Sequence, residues 1–345
     1  MTSYTAPLRD MQFVYNELFD AGDITTLPGC EDATPDLVNA VLDEAAKLCE
    51  NEIFPLNQSG DQEGCHFKDG AVTTPAGFKA AYDKYATGGW VGMACDPQYG
   101  GQGMPATLNV LLEEMTCSAN IAFATYPGLT RGAYRSIKAF ASNELKDQYL
   151  PKMVKGEWAG TMCLTESQCG TDLGLVRTRA EPTDGNTFEI TGTKIFITYG
   201  DHDWTDQILH MILARTPNGP PGTRGLSLFV VPKFPFDDPQ TINGISISGV
   251  EKKMGLKASP TCVLHLDEAI GYRLGPEFRG LKCMFTMVTL MRLEVAVQGV
   301  AMAGAVTRMA LNYAAQRPQG GKPGGPPVAI IEHADVRRML FLMRT

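Results

Sequence analysis

Ten consecutive residues, Cys163-Leu164-Thr165-Glu166-Ser167-Gln168-Cys169-Gly170-Thr171-Asp172, gather hydroxyls, a carboxylate and a glycine in one short stretch. Gly170 permits close backbone approach, and the free N–H groups of such a turn can surround a phosphate oxygen. Thr165 and Thr171 add two hydroxyls, so the run could bond a flavin pyrimidine ring and neutralise a pyrophosphate. An ordinary polar turn accounts for it equally well. Lys194-Ile195-Phe196-Ile197-Thr198 is a second candidate. Strand alternation places Phe196 and Thr198 on one face, with Ile195, Ile197 and Tyr199 on the other. An aromatic beside a hydroxyl suits the edge of a flat ring; taken alone, a half-buried strand is the plainer account. Gly101-Gln102-Gly103-Met104-Pro105-Ala106 spells GxGxxA. No strand precedes it and no βαβ unit surrounds it, so it reads as a surface loop entering a helix.

The elements that must position these residues fall into three textures. Residues 34–160 carry helical periodicity. Thr34, Pro35 and Asp36 form a helix start, with a capping hydroxyl, proline at the first position and an acid at the positive end. Leu37, Val41, Leu48 and Ile53 recur at roughly helical spacing. Further helices are expected over 76–85, 106–123 and 143–154, the last closed by Gly156. Over 161–275 the period becomes two. TFEI and TKIFITYG read as two strands joined at Thr191-Gly192, and QILHMILA, GLSLFVVP, GISISGV and TCVLHLDEA continue the series. Many short strands without helices between them indicate an antiparallel barrel or sandwich. Helical period returns from Gly280 to Arg317, enough for a helix on the order of 55 Å long at about 1.5 Å per residue. QGGKPGGPP must then be loop. A new helix begins near Glu332 and runs into the chain end, which reads as truncation within an element. The expected organisation is an α+β chain: an extension over 1–33, a helical domain over 34–160, a β domain over 161–275 and the start of a helical bundle over 276–345.

Composition narrows the function. The net charge of −8 argues against nucleic acid, whose binding rests on many cationic contacts to phosphate. No run of 18 or more apolar residues suggests a membrane span, and the start lacks the basic-then-apolar pattern of a secretory signal. Nine cysteines without a CxxC pair read as reduced thiols of the cytoplasm, and five histidines without HExxH offer no metal site.

In their order along the chain these segments resemble the acyl-CoA dehydrogenase family. Thr165-Glu166 followed by Gly170-Thr171-Asp172 is similar to its signature, and Lys194–Thr198 to its Lys-x-Trp-Ile-Thr. Residues 250–261 resemble the closing loop and last strand of its β domain, and residues 279–317 the first long helix of its carboxy-terminal bundle. The resemblance implies an FAD site at Met162, Leu164, Thr165, Gly170, Thr171, Phe196, Ile197 and Thr198, with Thr171 also beside the CoA chain and Arg292 near acyl-CoA. Arg317-Pro318-Gln319 takes the place of an element that reaches the FAD of a neighbouring subunit, and His333 falls on another such position. There are departures: Cys169 and Leu175 replace small residues, Phe196 replaces tryptophan, Thr289 stands where an aspartate often lies, and GGKPGGPP is inserted. The opening YTAPLRDMQFVYNELFD and the segment GGKPGGPPVAIIEHADVRRML are closest to a branch with longer chains, which includes 3-methylmercaptopropionyl-CoA dehydrogenases.

The implied reaction takes a proton from the carbon α to a thioester while hydride leaves the β carbon for flavin N5. The family's usual glutamate base lies beyond residue 345. The other position for it, just before the arginine, is Met291. Glu294 lies about 200° around the helix from Arg292. It reads as a solvated or ion-paired residue and stays a candidate base. Glu166 is expected to serve its loop. The expected partners are acyl-CoA, an electron-transfer flavoprotein and further copies in a homodimer or homotetramer. A noncatalytic flavin-binding, acyl-CoA-binding or dimerising fragment, and a same-fold acyl-CoA oxidase, are the alternatives.

Overall fold

The computed structural model describes residues 4–18, 21–183 and 186–344. Parts of two sequence readings, the opening stretch without a signal (residues 1–3, 19 and 20) and the chain end (residue 345), lie outside the described residues. After α1 (Leu8–Phe13), the helix α2 (Pro35–Leu48) starts as its sequence implies: the Thr34 side chain accepts from the Leu37 N–H and Pro35 fills the first turn. Its inward face is displaced from the expected stripe. Val38, Leu42, Ala45 and Ala46 are buried, whereas Leu37 is exposed and Val41 and Leu48 are half-buried; only Ile53 of the expected set is fully inside.

Then come α3 (Leu56–Glu63), a small hairpin of β1 (His66–Lys68) and β2 (Ala71–Thr73), and α4 (Phe78–Thr87), which starts two residues later than expected because Gly77 turns the chain at φ +86°. The next helix, α5, spans Ala106–Phe140 and corrects a larger expectation, an end at Phe123. Pro127, Gly128 and Gly132 look like breakers in sequence. The structure breaks the helix earlier, at Asn120 (φ −161°, ψ 95°), whose side-chain oxygen accepts from the Phe123 N–H and so restarts it. Small residues of the second half then meet neighbours closely: a Cβ on Gly160 would lie 2.2 Å from that of Ala133. Tertiary fit overrides propensity here. α6 (Asn143–Val154) is capped by the Ser142 hydroxyl, and Gly156 follows at φ +76°.

Seven strands form the β domain: β3 (Trp158–Cys163), β4 (Arg179–Pro182), β5 (Thr187–Thr198), β6 (Gln207–Arg215), β7 (Leu226–Pro232), β8 (Ile245–Val250) and β9 (Thr261–Leu274). Pairings β6–β4, β4–β5, β5–β9, β9–β7 and β7–β6 close a ring, with β3 added to β6 and β8 to β9. The sheet is mostly antiparallel, but β3 and β4 pair parallel to β6, a departure from the wholly antiparallel expectation. Both faces of β6 and β7 are buried: Phe229 and Val231 fill the barrel with Ile190 and Leu264, while Leu209, Leu226 and Leu228 join the core shared with the helical domain. The expected hairpin at Thr191-Gly192 is absent. β5 runs through it with a bulge, and Gly192 is needed for space, because a Cβ there would lie 2.5–2.9 Å from Thr178.

α7 (Gly280–Gln316) leaves the barrel at Ser227 and runs antiparallel along α5, with Cys283 carbonyl accepting from Ser136 and Ala301 carbonyl from Ser118. By length and composition it could cross a membrane, although no 18 of its residues form an unbroken apolar run. Its seam with α5 instead holds buried charge at Glu294. Beyond it the inserted segment folds into a loop closed by the Pro318–Ala329 bridge, and α8 spans Ala334–Arg344.

Candidate active site

The signature loop hangs between the end of β3 and the start of β4, and Glu166 organises it. One carboxylate oxygen accepts from the Thr178 N–H (3.1 Å), the Thr178 hydroxyl (2.6 Å) and the Lys194 ammonium (2.8 Å). The other accepts from the Arg177 N–H (2.8 Å) and the Gln168 amide. Lys194, fully buried, also donates to the Leu164 carbonyl at 3.1 Å. Burial alone would raise the Glu166 carboxyl; Lys194 and the hydrogen bonds from Thr178 and Arg177 outweigh it and hold the group down at about 2. For Lys194 burial dominates and moves the ammonium below its ordinary range, with Glu166 opposing. The contact between Lys194 and Glu166, with the bond to the Leu164 carbonyl, pins the loop to β5 at that point. Backbone bonds add to it: the Ile195 N–H donates to the Thr165 carbonyl at 2.9 Å, and Glu166 and Cys169 exchange N–H···O bonds across a tight turn.

β5 answers with a second bulge between Lys194 and Ile197. Phe196 takes φ +59°, a conformation bulky side chains seldom adopt, and stands 57% exposed. The bulge corrects the shared-face reading. Lys194 and Ile197 both turn inward, Tyr199 is buried, Ile195 and Thr198 are half-buried, and Phe196 alone of this run projects outward. Backbone strain of this kind persists where surrounding structure over-determines it and gathers at ligand sites.

The structure thus brings Leu164, Thr165 and residues 194–198 together, with Met162 half-buried at the end of β3; a Cβ on Gly170 would lie 3.7 Å from the Thr165 methyl. Thr171 is exposed further along the loop. Among the described residues the hydroxyls of Thr165, Thr171 and Thr198 have no protein partner. Free hydroxyls beside an outward aromatic ring fit a flat, hydrogen-bonding cofactor such as a flavin.

The remaining candidates lie along α7. Arg292 is exposed and sits over the Phe285 ring at 5.3 Å, and Thr289, one turn earlier, lines a groove with Lys282 and Arg135. Of the two readings of Glu294, solvated or ion-paired, the structure shows the second. The residue is 4% exposed and binds Arg131 through Nη2 (2.9 Å) and Nε (3.2 Å), and the same Nη2 binds Glu113 at 2.6 Å. That engagement argues against its use as a base. Glu113 and Arg131 were missed by sequence reading; a charged residue inside an otherwise small and apolar helical run is the signal that marks both. Exposed Arg317 and Gln319 and half-buried His333 form a separate cluster, in which the His333 ring meets the Gln319 carbonyl at 2.7 Å. About 38 Å of helix separates Arg317 from Arg292, so one chain does not bring this cluster to Arg292. The GxGxxA run is a loop after a short 3-10 turn, and a Cβ on Gly101 would lie 2.1 Å from the Cys95 carbonyl.

A helical domain, a closed barrel and a long helix, with a pinned hydroxyl-bearing loop between β3 and β4, make a protein of mixed α+β build. The family description "Acyl-CoA dehydrogenase, N-terminal domain" matches residues 36–157, and "Acyl-CoA dehydrogenase, middle domain" matches residues 161–269. The chain belongs to the acyl-CoA dehydrogenase family, whose members depend on FAD. A 3-methylmercaptopropionyl-CoA dehydrogenase of Ruegeria pomeroyi is 41% identical over 99% of this chain and 59% of its own length. A butyryl-CoA dehydrogenase of Syntrophomonas wolfei is 36% identical with the same coverage. In fold, the butyryl-CoA dehydrogenase of Megasphaera elsdenii superposes with a TM-score of 0.75 at 24% identity, covering 90% of this chain and 75% of that one. The chain spans about 59% of the length of these curated relatives from Ruegeria and Syntrophomonas.

Proposed function

We propose that this chain carries the cofactor half of an FAD-dependent acyl-CoA dehydrogenase acting on a short acyl thioester, 3-methylmercaptopropionyl-CoA among the substrates to be tested. The observation that carries the reading is the Glu166–Lys194 pin, which with the Ile195 N–H bond to the Thr165 carbonyl ties Thr165 to the strand that bears outward Phe196 and Thr198. FAD, when bound, supplies the hydride acceptor. Thr165 and Thr198 would bond the ring edge, Phe196 would pack on it, and Thr171 would meet the pyrophosphate. Arg292 would orient the CoA thioester from α7, and the walls of the cleft would exclude water and strengthen each polar contact. No proton-abstracting role falls to Glu294, which Arg131 engages, or to Met291. The base belongs to the part of such a protein that these residues do not include. Arg317, Gln319 and His333 would reach the FAD of a second copy, an electron-transfer flavoprotein would take the electrons, and nine unpaired cysteines suit the cytoplasm.

The test is an anaerobic titration of the FAD-loaded chain with acyl-CoAs, including 3-methylmercaptopropionyl-CoA, following the visible flavin band. A yellow protein whose band shifts without bleaching is expected. Bleaching by any thioester would place a competent base within these residues, and a chain that takes up no FAD would sink the cofactor assignment.

A further inference from the structure

A second polar cluster lies away from the signature loop. Between the two halves of α5 and α7 there is a cavity of about 260 Å³, smaller than the usual pocket for a drug-sized ligand. Its apolar walls include Val110, Leu290 and Val297, and its polar lining is Glu113, Arg131, Glu294 and Asn109, with Thr107, Tyr134 and Arg135. Three atoms of that lining are buried without a partner: Arg131 Nη1, Glu294 Oε2 and Asn109 Oδ1. Arg131 and Glu294 are both more than nine-tenths buried. Leaving a buried polar atom unpaired costs about 1–3 kcal/mol, and more for a charged group. Folding alone does not account for three such atoms on one cavity. The ion pairs consume the other side of each group: Arg131 Nε and Nη2 face the carboxylates, and Glu294 Oε1 faces Arg131. Among the buried unpartnered atoms of the lining, what remains is one cationic donor and two acceptors.

We propose that this cavity is a binding site for a small neutral molecule bearing a primary carboxamide on a short apolar or aromatic body. The count of groups selects that chemistry. A carboxamide oxygen accepts from Arg131 Nη1, and its two N–H bonds serve Glu294 Oε2 and Asn109 Oδ1. A carboxylate satisfies the guanidinium and then meets Glu294 with like charge. An ammonium satisfies the acceptors and then faces Arg131, with Arg135 also on the lining. The cavity lies on the α7 turns that carry Arg292, and the proposal does not depend on the flavin reading.

The probes are benzamide, benzoate and benzylamine, three bodies of similar size that differ in the polar head. Binding to the 345-residue chain is followed by saturation-transfer NMR and by calorimetry. Benzamide is expected to bind saturably, with the two charged probes weaker by about tenfold or more, since a site built around hydrogen-bonding groups rejects heads that leave them unpaired. Leu293 lines the cavity and is 53% exposed, so Leu293→Trp can fill the space without disturbing the buried ion pairs. Loss of benzamide binding in that variant, with an unchanged melting temperature, supports the site. Equal binding of all three probes, no binding of any, or benzamide binding that survives Leu293→Trp overturns it; in the second case water alone satisfies the three atoms.

Discussion

Removing the Glu166 carboxylate strips an acceptor from five donors at once: two backbone N–H groups, the Thr178 hydroxyl, the Gln168 amide and the Lys194 ammonium. In Glu166→Ala the buried ammonium keeps only the Leu164 carbonyl. Breaking a buried ion pair from one side costs about 3–5 kcal/mol, because the survivor stays desolvated and uncompensated. With an unfolding entropy near 2.1 cal/mol/K per residue over 345 residues, that loss lowers the melting temperature by roughly 4–7 °C if the chain unfolds as one unit. Differential scanning calorimetry of the apo chain reads this number directly.

The partner variant separates the pair from its surroundings. Lys194→Met removes the charge and keeps an apolar stem of similar length, and on its own it leaves Glu166 buried among neutral donors. Combined with Glu166→Gln, whose amide oxygen can still accept from Arg177 and Thr178, the pair becomes neutral and most of the loss is recovered. Non-additivity in that cycle is therefore expected on the order of 1–3 kcal/mol. FAD retention is the second readout, and it should fall in both single variants, since the pin places Thr165 against β5. Single variants that melt within about 1 °C of the parent, in the range of ordinary surface substitutions, would falsify the view that Glu166 positions the loop.

Two further outcomes follow from burial elsewhere. His202 and His210 are buried, and burial first, with Lys233 next, holds both down at about 3. Their contribution is intact above the unfolded value near 6.5 and is lost as pH falls toward 3, so stability should drop by about 2.7 kcal/mol per pH unit between pH 5 and 4 from the two together. Denaturant melts over that range measure the slope, and His202→Gln should roughly halve it; a flat profile would mean the imidazoles are protonated in the fold. Gly160→Ala forces a Cβ to within 2.2 Å of the Ala133 Cβ, where β3 crosses α5. Overpacking of that kind costs about 1–3 kcal/mol, and a variant as stable as the parent would show that this crossing has slack.

Where the sequence speaks locally, it was legible. The cap at Thr34, the strands β6, β7, β8 and β9 and the long helix from Gly280 each follow from residue types within a few positions, whereas β3 and β4 are not foreseen. What it misread depends on partners far along the chain. Pro127 and two glycines look like a break in α5, yet the glycines are there because α7 lies against them: a Cβ on Gly132 would meet Met287 at 2.7 Å, and one on Gly128 would meet Glu294. Gly192 looked like a turn and is a point of contact with Thr178. Strand alternation failed at Phe196 because the register of β5 is set by β9, and periodicity carries no information about a bulge. Of the cofactor candidates, Thr165 and Phe196 stand out by residue type; nothing local in the sequence ties Lys194 to its partner Glu166, 28 positions away.

Both buried charge clusters lie on seams between segments distant in sequence, and that placement has a physical consequence. An ion pair on a surface tolerates sliding, because water takes over when the partner moves. A pair at 0% and 5% side-chain exposure does not, so Lys194 and Glu166 meet only when β5 and the signature loop are in register. Arg131 and Glu294 impose the same condition on α5 and α7. A shift of α7 by one residue would rotate Glu294 by about 100° out of the seam and leave Arg131 with Glu113 alone. Apolar packing by methionine and alanine would resist that shift only weakly, since such side chains adapt to many neighbours. The charge at each seam therefore selects one arrangement of the helical domain, barrel and long helix, and that arrangement sets the cleft.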